Sequence, residues 1–125
     1  MQISERTRLI RQLDSLISRK VRQSESKCVT CGKRLTYKQR QAGHYIPSEV
    51  LSTRWSHKNV HCQCQKCNVE LGGNLAKYKK WMDKNLPAED VAFLEGEYEN
   101  YKKGRPTIVT VEEMKMVLDL LSADK

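Results

Sequence analysis

The chain has 125 residues, of which 38% are hydrophobic and 30% are charged, a composition that supports one domain with a modest core. No apolar run approaches the roughly 18 residues that a membrane span requires, which argues against an integral membrane protein. We therefore expect a cytosolic protein, and in that compartment paired cysteines more often bind metal than form disulfides.

The formal charge of +8 divides the chain into three segments. Residues 1–27 carry +4, residues 28–86 carry eleven Lys and Arg against three Asp and Glu, and residues 87–125 carry −4. We interpret them as a basic amphipathic helix over residues 1–27, a basic core over residues 28–86 that contains the cysteines, and an acidic helical segment over residues 87–125. Positive charge concentrated on the middle segment favours a phosphate-binding surface, although a basic surface that only aids solubility would have the same composition.

The first predicted element is an amphipathic helix over residues 5–22. Its apolar positions recur at helical spacing and are Leu9, Ile10, Leu13, Leu16, Ile17 and Val21. After Cys28 the helical period is lost, and Gly32 permits a tight zinc-knuckle turn because glycine reaches positive φ. Two short strands are predicted, one around Gly43-His44-Tyr45 that ends at Pro47 and one over residues 60–62, with a helical turn and a loop over residues 48–58 between them.

The C-terminal half is predicted to be helical. One helix follows Cys67 and runs to about Lys84, with a break or a close backbone approach at Gly72-Gly73. Its apolar face is expected to hold Leu71, Leu75, Tyr78 and Met82. Pro87 opens the next helix, whose apolar side is expected to hold Val91, Phe93, Leu94 and Tyr98. The run Thr110-Val111-Glu112-Glu113 fits a capping box for the last helix.

Two Cys-x-x-Cys pairs are the strongest motif in the chain. They are Cys28-x-x-Cys31 and Cys64-x-x-Cys67, and four thiolates in this arrangement predict a structural tetrahedral Zn²⁺ site. Such a shell leaves no open coordination position for water, so we do not expect this zinc to be catalytic. Cys62, the remaining thiol, is expected to be a small buried core residue.

The loop between the cysteine pairs carries polar residues suited to phosphodiester hydrolysis, which needs a base to activate water and a cation to stabilise the developing charge. His44, at the end of a short strand, can supply the base if Asn59 on the opposite strand orients its imidazole. Asn68, at the start of the following helix, can offer an oxygen ligand to a divalent metal. Arg54 is a candidate for bidentate contact with the scissile phosphate, and the alternative for it is a surface ion pair.

Six motifs together resemble the phage NinG/Rap recombination proteins. In chain order they are Cys28-Val-Thr-Cys31, Ala42-Gly43-His44-Tyr45, Thr53-Arg54-Trp55, Asn59-Val60, Gln63-Cys64-x-x-Cys67-Asn68 and Leu71-x-Gly73-Asn74-x-x-x-Tyr78. The resemblance covers about residues 10–100. It implies an α+β fold with a small zinc-stapled ββα-metal core of the HNH (His-Me finger) type and flanking α-helices. It also implies metal-dependent cleavage of branched DNA, including Holliday junctions and D-loops, in the cytoplasm of a bacterial host.

The same resemblance implies roles for single residues. His44 corresponds to the general base, Asn59 to its orienting partner and Asn68 to a ligand of a catalytic Mg²⁺ or Mn²⁺. Asn74, between one and two helical turns further on, is a second candidate ligand.

One position departs from the common HNH pattern. Many of these nucleases place Asp or His as a metal ligand directly before the catalytic His, and here that position is Gly43. The nearby alternatives are Gln41, Glu70 and Asn74, so we expect a weak site that phosphate oxygens and water complete.

Two rival functions, in which the chain cuts no DNA, remain open. One is a zinc-stabilised DNA-binding module that selects branched structures without cutting them, and Gly43 favours it. The other is a protein-interaction adaptor, against which the charge of the central segment argues. For a nuclease, resolving a junction takes two cuts, so a homodimer with the terminal helices at its interface is plausible, and other phage recombination proteins are potential partners.

Overall fold

The N-terminal helix, α1, spans Glu5–Ser24 and begins after Ser4, whose hydroxyl accepts a hydrogen bond from the Thr7 amide at 3.1 Å. The computed structural model describes residues 2–123 of the chain. The buried residues of α1 recur every four positions and are Leu9, Leu13, Ile17 and Val21. This single stripe confirms the predicted amphipathic helix.

Helix α1 packs against the last helix, α5, which spans Val111–Ala123. The predicted capping box precedes it, because the Thr110 hydroxyl accepts from the Glu113 amide at 3.1 Å and the Glu113 carboxylate accepts from the Thr110 amide at 3.2 Å. Met114 is the fully buried contact of α5. The two terminal helices therefore form one layer behind the sheet.

The sheet has two antiparallel strands, β1 (Gln41–His44) and β2 (Val60–Gln63), which pair in the register His44 with Val60 and Gln41 with Gln63. The connecting segment contains the short helix α2 (Leu51–Arg54). All four residues of β2 are buried. Both predicted strands and the helical turn between them are present, but β1 begins earlier than predicted and ends at His44 instead of at Pro47.

The segment after β2 is broken where the glycines predicted a break. A π-helical turn, Lys66–Glu70, is followed by Gly72 and Gly73 at φ values of 58° and 98°, and only then by α3 (Leu75–Asn85). The predicted apolar face was wrong at Leu71 and Leu75, each of which is 50% exposed. Leu71 lies before α3 and Leu75 is its first residue, so only the later members of that face, Tyr78 and Met82, reach the core.

Helix α4 spans Ala88–Lys102 directly after Pro87, as predicted. Its buried residues are Val91 and Leu94, whereas Phe93 is 61% exposed, so the prediction for Phe93 was wrong. The reason is helical geometry. Val91 and Leu94 are three residues apart and share the buried face of α4, whereas Phe93 lies between them in sequence and points away from that face.

Two core clusters hold the sheet from opposite sides. The first joins α1, β2 and α5 and includes Leu13, Val60 and Met114. The second joins α3, α4 and the segment after β1, and its Tyr78 donates a hydrogen bond to the Gly43 carbonyl at 2.7 Å. Strand β1 is therefore tied to α3 through its own backbone. Within residues 2–123, no helix combines the length and the apolar character that crossing a membrane requires.

Candidate metal centre and candidate active site

The four cysteines of the two motifs converge on one point. The sulfur atoms of Cys28, Cys31, Cys64 and Cys67 all lie within 4.8 Å of one another, and the Cys31 and Cys64 sulfurs are 3.9 Å apart. A tetrahedral zinc with bonds of about 2.3 Å places its sulfurs roughly 3.8 Å apart. The donor set therefore fits, and the cluster can hold a metal ion such as zinc. Cys62 is fully buried in the core outside the cluster, as predicted.

Local backbone geometry builds each half of the cluster. In the first half, the amide of Gly32, at φ 77°, donates to the Cys28 carbonyl at 2.8 Å, and the Cys28 amide donates to the Lys33 carbonyl at 2.9 Å. In the second half, the Cys67 amide donates to the Cys64 sulfur at 3.4 Å. These are the tight turns expected of zinc knuckles, and they form within a few residues of each motif.

The electrostatics of the cluster favour a bound cation. Gln63 donates to the Thr30 hydroxyl at 3.1 Å, which leaves the hydroxyl proton for the Cys28 sulfur at 3.2 Å. Burial opposes ionisation of Cys28, but this hydrogen bond and backbone amides lower its pKa to about 6. Burial, together with the neighbouring Cys28, raises the pKa of Cys31 to about 12. One thiolate thus forms readily, while adjacent thiolates need a positive charge between them.

His44 ends β1 and lies half-buried at the edge of an open cleft. Its Nε2 lies 2.9 Å from the Arg54 carbonyl oxygen. A carbonyl only accepts hydrogen bonds, so Nε2 carries the ring proton and Nδ1 keeps its lone pair. Within the described residues 2–123, Nδ1 forms no hydrogen bond. Burial lowers the pKa of His44 below its ordinary 6.5, so the imidazole is neutral at pH 7 and can accept a proton.

Asn59 is fully buried and closes the long connection between the strands. Its Oδ1 accepts from the Ile46 amide at 2.7 Å, and its Nδ2 donates to the carbonyls of Ile46 and Thr53 at 3.1 and 3.2 Å. All three bonds go to backbone, and none reaches the imidazole of His44. Asn59 therefore acts on His44 only indirectly. It binds the carbonyl of Thr53, and the carbonyl of the next residue, Arg54, accepts the hydrogen bond from the imidazole.

Arg54 forms the ion pair that was the alternative to a phosphate contact. Its Nε and Nη2 bind the two carboxylate oxygens of Asp14 at 2.9 and 2.7 Å, and its Nη1 donates to the Ser48 carbonyl at 3.1 Å. Trp55 donates to the same carboxylate at 2.8 Å. Burial raises the pKa of Asp14, but the Arg54 and Trp55 hydrogen bonds outweigh it and lower that pKa overall. The guanidinium is thus already neutralised by a carboxylate.

Sequence reasoning gave Asp14 no role at the site. The available signal was its position, because Asp14 is the only acidic residue of α1 beyond the first turn of that helix. Its partner lies 40 residues away, and no local pattern connects the two. Asp14 anchors the end of α2, and through it the carbonyl that fixes the tautomer of His44.

The cleft beside His44 has a volume of about 440 Å³ and is lined by α1, β1 and α2. Its polar lining consists of Asp14, Ser18, Arg22, Arg40, Gln41, His44, Ser48 and Arg54. Among these described residues Asp14 is the only carboxylate, set against three arginines. The cleft is therefore positive, as a phosphate-binding site requires.

Asn68 and Asn74 lie in different surroundings. The Asn68 amide donates to the Gln41 side chain at 2.9 Å, and Gln41 lines the His44 cleft, so Asn68 stands one hydrogen bond from that cleft. Asn74, at φ 52°, donates instead to the Cys67 sulfur at 3.5 Å beside the cysteine cluster. The Oδ1 of Asn68 forms no hydrogen bond in the described part of the chain and can offer a ligand, but it is a single neutral oxygen.

Gly43 lacks a side chain because Gln63 occupies the space. A Cβ at position 43 would lie 1.9 Å from the Gln63 Oε1 and 2.6 Å from its Cδ. Gln63 is fully buried and donates to the Gly73 carbonyl at 2.8 Å. An acidic side chain directly before His44 is thus excluded by packing.

Comparison with known proteins identifies related sequences. The family described as Bacteriophage Lambda NinG protein matches residues 2–123. Protein ninG of Escherichia phage lambda is 31% identical over 91 residues, covering 72% of this chain and 41% of that protein. Protein ninG of Salmonella phage P22 is 30% identical over 76 residues, covering 60% of this chain and 37% of that protein. The chain thus spans less than half the length of these relatives, and no solved structure matches it.

Proposed function

This chain belongs to the NinG family of phage proteins, and we propose that it is a metal-dependent endonuclease that cuts branched DNA such as Holliday junctions and D-loops. The predicted resemblance to NinG is confirmed, while the nuclease activity that it implied stays a prediction. The two cysteine pairs hold a structural zinc in this proposal and leave the chemistry to the cleft beside His44.

The observation that carries the proposal is the hydrogen bond from His44 Nε2 to the Arg54 carbonyl. It leaves Nδ1 as an unprotonated acceptor in a positive cleft, and burial lowers the pKa of the ring. In the proposed reaction Nδ1 takes a proton from a water molecule, the resulting hydroxide attacks the phosphorus, and the bond to the leaving oxygen breaks. Asp14 and Asn59 contribute by positioning, because both hold the backbone that supplies the carbonyl.

A divalent Mg²⁺ or Mn²⁺ held by Asn68 and phosphate oxygens would stabilise the charge that develops on the phosphate and the leaving oxygen. Asn68 is suited to this because Gln41 engages its amide nitrogen and leaves Oδ1 available. Resolution of a junction takes two cuts, so the proposal includes two copies of the chain acting on one junction.

The second candidate is a zinc-stabilised module that binds branched DNA without cutting it. It is favoured by the close packing of Gln63 on Gly43 and by the engagement of Asp14 with Arg54, which together leave no free carboxylate among the described residues that line the His44 cleft. The two candidates share the fold and the zinc cluster and differ only in catalysis.

The test is cleavage of a labelled four-way junction with Mg²⁺ or Mn²⁺ by the wild type, His44→Ala and His57→Ala. His57 is exposed and lies outside the His44 cleft, so its variant controls for loss of a surface histidine. We expect cleavage by the wild type and by His57→Ala and a loss of at least about a hundredfold in His44→Ala, the contribution typical of a general base. Undiminished cleavage by His44→Ala would contradict the mechanism, and junction binding without cleavage by the wild type would favour the module.

A further inference from the structure

Two arginines in the His44 cleft have no carboxylate partner. Arg22, near the end of α1, and Arg40, just before β1, line the cleft, and neither forms an ion pair within residues 2–123. Arg54, the third arginine of the cleft, is neutralised by Asp14. The charge available for a phosphate in this cleft therefore resides on Arg22 and Arg40.

Neutral groups, most of them backbone carbonyls, hold both arginines in place. Arg22 Nε donates to the Ser18 carbonyl and hydroxyl at 3.2 and 3.1 Å. Arg40 donates through Nη1 to the Arg22 carbonyl at 2.8 Å and through Nε to the Leu35 carbonyl at 3.3 Å. These hydrogen bonds restrict the side chains without cancelling their charge, and in the described structure they leave both Nη groups of Arg22 and the Nη2 of Arg40 without a partner. Oriented and uncompensated guanidinium groups are suited to phosphate oxygens.

An exposed tyrosine adjoins the two arginines. Tyr37 is 45% exposed in the 3₁₀ turn Tyr37–Gln39, and its ring centroid lies 5.3 Å from the Arg22 Cζ and 5.6 Å from the Arg40 Cζ. Cations at this range hold an aromatic ring in position. A base can stack on such a ring only when it has left a duplex, as happens at a nick, a flap or a branch point.

We propose that Arg22 and Arg40 bind the phosphate backbone beside His44 while Tyr37 stacks on an unpaired base of the same strand. Arg22, Tyr37 and Arg40 form what we call the strand grip. The strand grip rests on the proposed function and adds detail to it. It assigns the preference for branched over continuous duplex DNA to Tyr37. It assigns the sequence-independent affinity for DNA to the two arginines.

Binding measured without added divalent cation separates this inference from catalysis. The variants are Arg22→Gln with Arg40→Gln, and Tyr37→Ala, tested on a four-way junction, on single-stranded DNA and on a continuous duplex of equal length. The matched controls are Arg19→Gln, since Arg19 is exposed on α1 and lies in a hollow beside α5, and Tyr101→Ala, since Tyr101 is exposed on α4. Zinc content and circular dichroism show that each variant is folded.

We expect the double arginine variant to weaken binding to all three DNAs by about tenfold per arginine. It should also reduce the slope of log affinity against log salt by about 0.7–0.9 for each phosphate that the protein no longer neutralises. Tyr37→Ala should weaken binding to the junction and the single strand by about five- to a hundredfold and leave the duplex unchanged. Arg19→Gln and Tyr101→Ala should bind like the wild type.

Unchanged affinity and salt dependence in the double variant would overturn the grip even if the wild type cuts junctions. An equal loss on duplex and junction in Tyr37→Ala would overturn the role of the tyrosine. If the wild type binds but never cuts, the expected binding losses would still support the grip, so its failure and the failure of the proposed nuclease remain distinguishable.

Discussion

Substitution of Gly43 by alanine tests how the strand before His44 is packed. The added Cβ would lie 1.9 Å from the Gln63 Oε1, and Gln63 is fully buried with its Nε2 bound to Thr30 and to the Gly73 carbonyl. If Gln63 stays, the overpacking costs about 1–3 kcal/mol. If it rotates away, the Gly73 carbonyl loses its buried partner, at about 1–3 kcal/mol, while the Thr30 hydroxyl keeps its contact with the Cys28 sulfur. Since either route costs about the same, we expect Gly43→Ala to lower the free energy of unfolding by about 1–3 kcal/mol.

Urea unfolding of the zinc-loaded protein measures this loss as a fall in the transition midpoint, of about 1 M for a loss of about 2 kcal/mol and a denaturant slope of about 2 kcal/mol/M. Gly96→Ala is the matched control, because Gly96 lies inside α4 with nothing within 4 Å of an added Cβ. It should stabilise the protein by about 0.5–1 kcal/mol. In a Gln63→Ala background the clash is absent, so the cost of Gly43→Ala should fall below about 1 kcal/mol. An equal cost in both backgrounds, or a wild-type midpoint for Gly43→Ala, would refute the reasoning.

Three further predictions concern the base, the metal and the ion pair. Because the general base must be unprotonated, kcat/KM for cleavage should rise with pH and then level off. Burial lowers the pKa of His44, so the midpoint of this rise should lie below pH 6.5. A midpoint above that value would contradict the assignment of His44 as the base. Elemental analysis should find about one zinc per chain, absent from Cys67→Ser and retained in Cys62→Ala, and a strong zinc chelator should abolish the cooperative unfolding transition. Asp14→Asn should lower the unfolding free energy by about 1–2 kcal/mol and slow cleavage, whereas Asp83→Asn, at an exposed pair, should change neither measurably.

The position before His44 is Gly43, where many HNH nucleases have a metal-binding side chain, and side-chain packing explains the glycine. At position 43 a glycine could reflect a lost catalytic ligand or a steric requirement, and the sequence does not separate the two. The structure supplies the steric requirement, since the Gln63 side chain fills the place of the Cβ. Gly43→Asp is for this reason expected to disturb β1 before it can add a ligand.

Local patterns were sufficient for much of the fold. The amphipathic stripe predicted α1, the glycine pair predicted the break before α3, and the capping box predicted the start of α5. The errors of burial have two causes. Leu71 and Leu75 lie before or at the start of α3, where the helix does not yet contact the core, and Phe93 lies off the face that Val91 and Leu94 define. Hydrophobic periodicity indicates which residues share a helix face, but not how far along the helix that face is covered.

The sequence by itself determined the four-cysteine cluster, the two short strands with a helical turn between them, and the kind of chemistry that the polar residues around His44 permit. These depend on spacing along the chain, where covalent geometry limits how far residues can separate. Only the tertiary structure decided which nitrogen of His44 is free, that Asp14 engages Arg54, and that Arg22 and Arg40 have no carboxylate partner in the part of the chain that the structure describes. Those outcomes depend on which side chains meet after residues as far as 40 positions apart are packed together, and no local pattern encodes that choice.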